Sequence, residues 1–339
     1  MVKSDMDSNN TANNKSTALA LKINLDTKAA QSFAQQSRSD NTKKAYKSDW
    51  KHFTEWCNER ELESLPATIH TVTLYVASCA DEYKVTTLER RLASISQAHK
   101  TSGHESPALV SREPLHSVWS GIVRTKSRLK EKVAPTLTED IKLMVEHLPR
   151  LEDEPGRPLT PQGLRDRALL LLGFAGAMRR SELAGLDAED LQFTADGLRV
   201  LIRKSKTDQE GQGQVIGIIY GSNPNTCPVR AVKSWMKAAS INTGPLFSSI
   251  NKHGTVGKKH LTGQSVALII KRACLRSGLS PDLYSGHSLR AGFTTQAARA
   301  GKAERIIMRH TRHKSEKMVR EYIREGDLFN ESPTDSLGL

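Results

Sequence analysis

The sequence predicts a mainly α-helical protein with one small β-hairpin, divided into an all-helical domain and a mixed α+β domain. Three observations predict it. Apolar residues recur at helical spacing through most of the chain. Two β-rich runs, Leu198 to Ile202 and Val215 to Tyr220, flank a polar turn from Asp208 to Gly213. Between the two halves lies a basic stretch, residues 121–132, with five bases and one acid, followed by Val133-Ala134-Pro135. The expected organisation is a disordered tail (1–38), a helical domain (39–130), a linker (131–137), a mixed domain (138–325) and a short tail (326–339).

Taken in order, residues 1–38 are rich in Asn, Ser, Thr, Gln and Ala and lack the apolar content to form a core. Within them, Leu19 to Leu25 suggests a transient helix. Ala45, Trp50, Phe53, Trp56 and Cys57 line one face of a first helix; Ile69, Val72, Tyr75, Val76 and Cys79 line a second. A third is expected to open on a capping box, Thr86-x-x-Glu89, and to bury Leu88, Leu92 and Ile95 while Arg90, Arg91, Ser94 and Gln97 face elsewhere. A fourth follows Pro114, with Leu115, Val118, Trp119 and Ile122 inside.

The second domain is expected to open on Thr138 as an N-cap. Helices are predicted at 138–148 and 161–176. The latter carries the longest apolar run, Ala168 to Met178, and so should be the buried hub. After the hairpin, Cys227-Pro228-Val229 opens a helix with Val232 and Trp235 inward. Further helices are expected at 262–277, 287–300, 303–310 and 316–324.

Composition narrows the function. The chain has 339 residues and a formal charge of +13, from 50 Lys+Arg against 37 Asp+Glu. That excess points to an anionic partner, although solubility alone would also account for it. The four cysteines form neither a C-x-x-C pair nor a zinc spacing, which fits a reducing, cytoplasmic setting. A membrane span takes about 20 apolar residues, more than any run here, and Met1-Val2-Lys3-Ser4-Asp5 does not open a signal peptide.

The chemistry concentrates near the carboxyl end. It reads Gly286-His287-Ser288-Leu289-Arg290-Ala291-Gly292, then Arg309-His310-Thr311-Arg312-His313, then Glu321-Tyr322-Ile323-Arg324. His287 and Arg290, three apart, share one face of a helix. Upstream stand Ala177-Met178-Arg179-Arg180-Ser181-Glu182-Leu183 and, in the hairpin, Lys204-Ser205-Lys206-Thr207. This order resembles the tyrosine recombinase (phage integrase) family, in its Cre-like or Xer-like form. That pattern is Arg, Lys, His-x-x-Arg, His/Trp, Tyr, and the resemblance spans both domains. It implies a two-domain tyrosine-recombinase architecture: an all-helical core-binding domain and a mixed catalytic domain. Carried over residue by residue, it implies Arg179, Lys206, His287, Arg290, His313 and Tyr322 as catalytic, with Glu182 in support. Arg180 and Lys204 are the alternatives for the first Arg and the Lys. Two positions depart from the pattern. Arg312 stands where many relatives have Gly, and Ala291 follows Arg290 in place of a second basic residue.

The physics explains those types. Displacement at a phosphodiester gathers negative charge on the phosphoryl oxygens, and two guanidiniums, Arg179 and Arg290, can fork onto them while staying protonated. A tyrosine with a pKa near 10 is ionised in only about one molecule in a thousand at neutral pH, so Tyr322 needs a cationic pocket and a base. His287 is the candidate base, Lys206 the candidate acid for the leaving 5′-oxygen, and His313 a donor to phosphate. No cofactor or metal is expected, because side-chain cations hold the charge. The resemblance further implies a covalent 3′-phosphotyrosine, exchange through a Holliday junction, and a homotetramer on a double-stranded DNA site, with room for accessory proteins. Arg90, Arg91, Arg124, Lys126, Lys204 and Gln264 are the DNA-contact candidates, the Gln as an adenine reader. Leu328 and Phe329 in the last tail are expected to dock on a neighbouring protomer. Three other readings compete: a monomeric type IB topoisomerase, a non-catalytic DNA-binding protein on this scaffold, and a metal site built from His287, His310 and His313.

Overall fold

The computed structural model describes residues 39–126, 134–203, 213–313 and 315–326. The first tail with Leu19 to Leu25, residues 131–133 of the linker, Lys204, Lys206 and nearly all of the hairpin turn, and the last tail with Leu328 and Phe329 lie outside the described residues. The chain forms two compact units, residues 1–130 and 131–339.

In the first unit, α1 (Asp40–Asn58) starts on Ser39, whose hydroxyl accepts from the Thr42 amide at 3.4 Å. Then come α2 (Ile69–Cys79), α3 (Val85–Thr101) and α4 (Leu115–Lys126). Their helical-period apolar faces meet in one core of Phe53, Cys57, Val72, Tyr75, Leu88, Ile95 and Leu115, each fully buried. Two expectations fail here. α3 begins at Val85 on Lys84, with no side-chain cap. Thr86 is therefore already inside the first turn, and the predicted capping box does not form. Arg91 and Ser94, expected outside, are buried. Arg91 stacks its guanidinium over the Tyr83 ring at 3.7 Å and donates to Cys79 Sγ at 3.4 Å. Asp49, itself 4% exposed, takes a forked pair from Arg90 at 2.7 and 3.0 Å.

The second unit opens with α5 (Thr138–Glu146). Its cap is Leu137 rather than Thr138, because the Asp140 carboxylate reaches back to the Leu137 amide at 2.8 Å. The hub is α6 (Pro161–Ala175), with Thr160 accepting from the Gly163 amide at 3.1 Å and Pro161 preset for the first turn. Residues 168–173 of α6 are buried on all sides. Helix α7 (Arg180–Ala184) follows after one tight turn. The hairpin is present as β2 (Gly197–Ile202) and β3 (Gln214–Ile219), but a third strand, β1 (Leu191–Phe193), adds to it in the order β1-β2-β3, all antiparallel. Val200 faces Ile216 across the register, and alternate residues point into the core.

Helix α8 (Pro228–Ala238) packs on α6 and starts on Cys227, whose Sγ accepts from the Arg230 amide at 3.5 Å. A second antiparallel pair, β4 (Ser248–Ile250) with β5 (Val256–His260), precedes α9 (Gly263–Arg276). Neither β1 nor this pair was expected: strands of three to five residues are too short to show a period. The chain then forms α10 (Ser288–Arg299), α11 (Glu304–Thr311) and α12 (Glu316–Gly326). α10 packs on α6 and α12. Gly292 makes the close approach of α10 to the segment leading into α5 possible, since a Cβ there would lie 1.7 Å from the Thr136 carbonyl oxygen. Among the described residues, no helix is long and apolar enough to cross a membrane.

Candidate active site

The carboxyl end of α6, the turn into α7, the start of α10, the end of α11 and α12 converge on one cluster. The turn carries Ala177 at φ +45°, a left-handed conformation that costs a residue with a Cβ roughly 1–3 kcal/mol. This turn aims the Ala177 carbonyl inward, where it accepts from Arg290 Nη1 at 2.8 Å and Arg312 Nη2 at 3.3 Å. Two residues later Arg179 caps α7. Its amide donates to Glu182 Oε2 at 2.9 Å and its Nη1 to Oε1 at 2.6 Å. Glu182 also accepts from Arg312 Nη2 at 2.8 Å. Burial alone would raise the Glu182 pKa, but Arg312 and then Arg179 hold it below the usual carboxylate value.

Arg290, in the first turn of α10, is 1% exposed, yet its Nη2 has no hydrogen-bond partner among the described residues. Burial, then the nearby Arg179 and Arg312, pull its pKa down to about 9. It remains a cation at neutral pH, and an under-neutralised one. Its Nε donates to His313 Nε2 at 3.3 Å. On the other side of that ring, Nδ1 lies 2.8 Å from the Thr311 hydroxyl, which donates onward to the Ile307 carbonyl at 2.8 Å. The chain of donors assigns the His313 proton to Nδ1. Burial and the surrounding cations push the His313 pKa down to about 3, so the ring stays neutral. In this arrangement His313 supports Arg290, and donation to a phosphate requires its Nε2 to exchange partners.

His287 is the N-cap residue of α10 and keeps helical backbone angles, φ −93° and ψ −18°, with its carbonyl accepting from the Ala291 amide at 3.0 Å, so it stands one helical turn before Arg290 as predicted. Its Nε2 lies 3.0 Å from the Tyr322 hydroxyl. Crowding by the surrounding chain, then Arg290 and Arg179, lowers the His287 pKa below 6.5. A neutral imidazole facing a phenol is the arrangement a general base requires. The Tyr322 ring also stacks near His313, with centroids 6.4 Å apart.

A tyrosine hydroxyl against a neutral imidazole, beside buried cations with an unmet donor, is an arrangement with the groups that phosphoryl transfer requires. The profile of the phage integrase family matches residues 138–327, and that of the phage integrase N-terminal SAM-like domain matches residues 32–103.

The chain belongs to the phage integrase family, the tyrosine recombinases. It is 40% identical over 299 residues to an integrase/recombinase XerD homolog of Selenomonas ruminantium, covering 88% of this chain and 85% of that one. It is 27% identical over 243 residues to a tyrosine recombinase XerC of Syntrophus aciditrophicus, covering 70% and 69%. Among solved structures, the Tn1549 transposon integrase in complex with transposon right-end DNA superposes with a TM-score of 0.58 at 13% identity, over 87% and 92% of the two chains. XerH recombinase bound to a palindromic difH substrate gives 0.57 at 14% identity, over 80% and 73%.

Within this tyrosine recombinase, Arg179 rather than Arg180 joins the cluster. Arg180 is exposed and lays its stem across Gly286, where a Cβ would meet its Cδ at 3.0 Å. His310 turns away from His287 and His313: its Nε2 bonds the Ala175 carbonyl at 2.7 Å and its ring stacks on Phe293 at 4.7 Å. Of the DNA-contact candidates, Arg124, Lys126 and Gln264 are exposed, with Lys126 paired to Asp81. Arg90 is exposed too, paired to the buried Asp49, and Arg91 belongs to the interior. Arg91 was misassigned because helix periodicity placed it on the outer face, whereas Tyr83 and Asp49 supply partners that only the fold brings near. Sequence reasoning also missed Arg312 and Thr311 as members of the site.

Proposed function

We propose that this protein is a site-specific DNA recombinase that cuts and rejoins duplex DNA through a covalent bond between Tyr322 and a 3′-phosphate. The observation that carries the reading is Tyr322 within 3.0 Å of a neutral His287, beside a buried Arg290 with an unpartnered Nη2. In the cleavage step the Tyr322 oxygen attacks phosphorus and its proton passes to His287 Nε2. The P–O5′ bond breaks as Lys206 protonates the leaving oxygen. Arg179 and Arg290 hold the phosphoryl oxygens, supplying preorganised charge where it develops. The phosphotyrosine keeps the energy of the broken bond, so a 5′-hydroxyl from another strand can reverse the step without ATP.

The finer parts of the proposal are a homotetramer, strand exchange through a Holliday junction, and contacts from Arg90, Arg124, Lys126, Lys204 and Gln264 to the DNA. The experiment is covalent trapping on a library of nicked duplexes, read by denaturing gel and by sequencing the captured strand. Adducts enriched in one sequence, absent with Tyr322→Phe, are expected. Site-independent relaxation of supercoils would favour the topoisomerase reading instead, and binding without any adduct would favour the non-catalytic one.

A further inference from the structure

Arg312 occupies a position with no evident need for a side chain. Its backbone is left-handed, φ +58° and ψ +39°, which an L-residue adopts at a cost of roughly 1–2 kcal/mol and glycine adopts freely. The residue is nevertheless an arginine, and it is 5% exposed. A buried guanidinium is costly unless paired and hydrogen-bonded. Here it is held by four acceptors: Glu182 Oε2 at 2.8 Å, and the carbonyls of His310 at 3.0 Å, Gly176 at 3.3 Å and Ala177 at 3.3 Å.

Two of those acceptors are shared, one with each phosphate-binding arginine. Glu182 also takes both the Nη1 and the backbone amide of Arg179. The Ala177 carbonyl also takes Arg290 Nη1. Both terminal nitrogens of Arg312 are taken by protein acceptors, leaving only its inner Nε without one, whereas Arg290, as deeply buried, keeps a terminal Nη2 without an acceptor among the described residues. The charges matter as well. Arg179, Arg290 and Arg312 against Glu182 leave 3 − 1 = +2, and without Arg312 the same group holds 2 − 1 = +1.

We propose that Arg312 is a positioning residue for DNA cleavage: it braces the acceptors that orient Arg179 and Arg290, and it draws on the Glu182 carboxylate so that Arg179 keeps its charge for the phosphate. This rests on the recombinase reading of those two arginines. A merely structural Arg312 would matter for stability alone. A positioning Arg312 matters for the rate after DNA is bound, because small misplacements of catalytic groups cost up to about 10²-fold.

The test compares the parent, Arg312→Gly, Arg312→Asn, Arg312→Lys and the double variant Arg312→Gly/Glu182→Gln, on a nicked duplex recovered by the trapping described above. Gly and Asn both accept the left-handed turn, so one folded variant suffices, checked by thermal melting. Expected are unchanged DNA affinity and a single-turnover cleavage rate about 10–100-fold lower for Gly or Asn. Lys should restore little, since an ammonium cannot fork between Glu182 and the carbonyls. In the double variant, removing the carboxylate returns the charge to +2, so its loss should be smaller than the product of the single losses. Parent-like cleavage by folded Arg312→Gly or Arg312→Asn, or strictly multiplicative losses in the double variant, overturns the proposal. A parent that forms no adduct overturns the recombinase reading first, and this one with it.

Discussion

The two ends of α6 both bury arginines, and they do so differently. Near the amino end, Arg165 and Asp166 are 4% and 5% exposed. Arg165 gives Nε and Nη2 to Asp166 at 2.8 and 2.7 Å, and Nη1 to the Ser248 carbonyl at 3.2 Å. Each guanidinium nitrogen is used. At the carboxyl end, three guanidiniums share Glu182 and a few carbonyls, and Arg290 keeps one buried nitrogen with no acceptor. One end spends its charge on the fold. The other leaves donors unmet, Arg290 Nη2 and Arg312 Nε, which under the proposed function would serve an anion at some cost to stability.

Substitutions at the two ends should therefore separate activity from stability. The largest effect is expected for Tyr322→Phe, which keeps DNA binding and loses the covalent adduct completely; an adduct surviving on a denaturing gel refutes the nucleophile assignment. Next, Arg290→Ala and Arg179→Ala should each slow cleavage by about 10²–10³-fold without a matching loss of affinity. Arg180→Ala is the register control, and a more severe effect there would move the site by one residue. Arg290→Met should not lower the melting temperature.

At the other end, Arg165→Met strands a buried carboxylate and should cost about 3–5 kcal/mol of stability in denaturant unfolding, with cleavage per folded molecule intact. If Arg165→Met instead slows cleavage while the fold holds, the contrast between the ends collapses. The smallest effect concerns pH. His287 must be neutral to take the Tyr322 proton, and its pKa in the free protein lies below 6.5. The acid limb of kcat/KM, which reports the free enzyme, should then lie below pH 6.5, with activity lost as the pH falls through it. A limb above pH 6.5 that disappears in His287→Gln would show that the ring is not held neutral by its cationic neighbours.

Much of this was legible from local pattern. The four helices of the first unit, the hub run from Ala168 and the hairpin all follow from periodicity, because burial on one face imposes a period. Helix starts were less legible: Lys84 and Leu137 begin helices without a side-chain cap of their own, where Thr86 and Thr138 looked better suited. Arg90 and Arg91 show the limit most clearly. Adjacent and chemically identical, they part because one reaches the surface edge of Asp49 while the other enters the aromatic core beside Tyr83.

By itself the sequence determined the order of the chemical groups: an arginine, a His-x-x-Arg, a histidine and a tyrosine stand in the family's contexts wherever the backbone runs. Tertiary structure alone decided which nitrogen meets which oxygen. Only folding brings Glu182 between Arg179 and Arg312 across 130 residues of chain, or seats Tyr322 against His287 across 35. Whether a buried charge is satisfied or left wanting depends on those distances, and no local pattern records them.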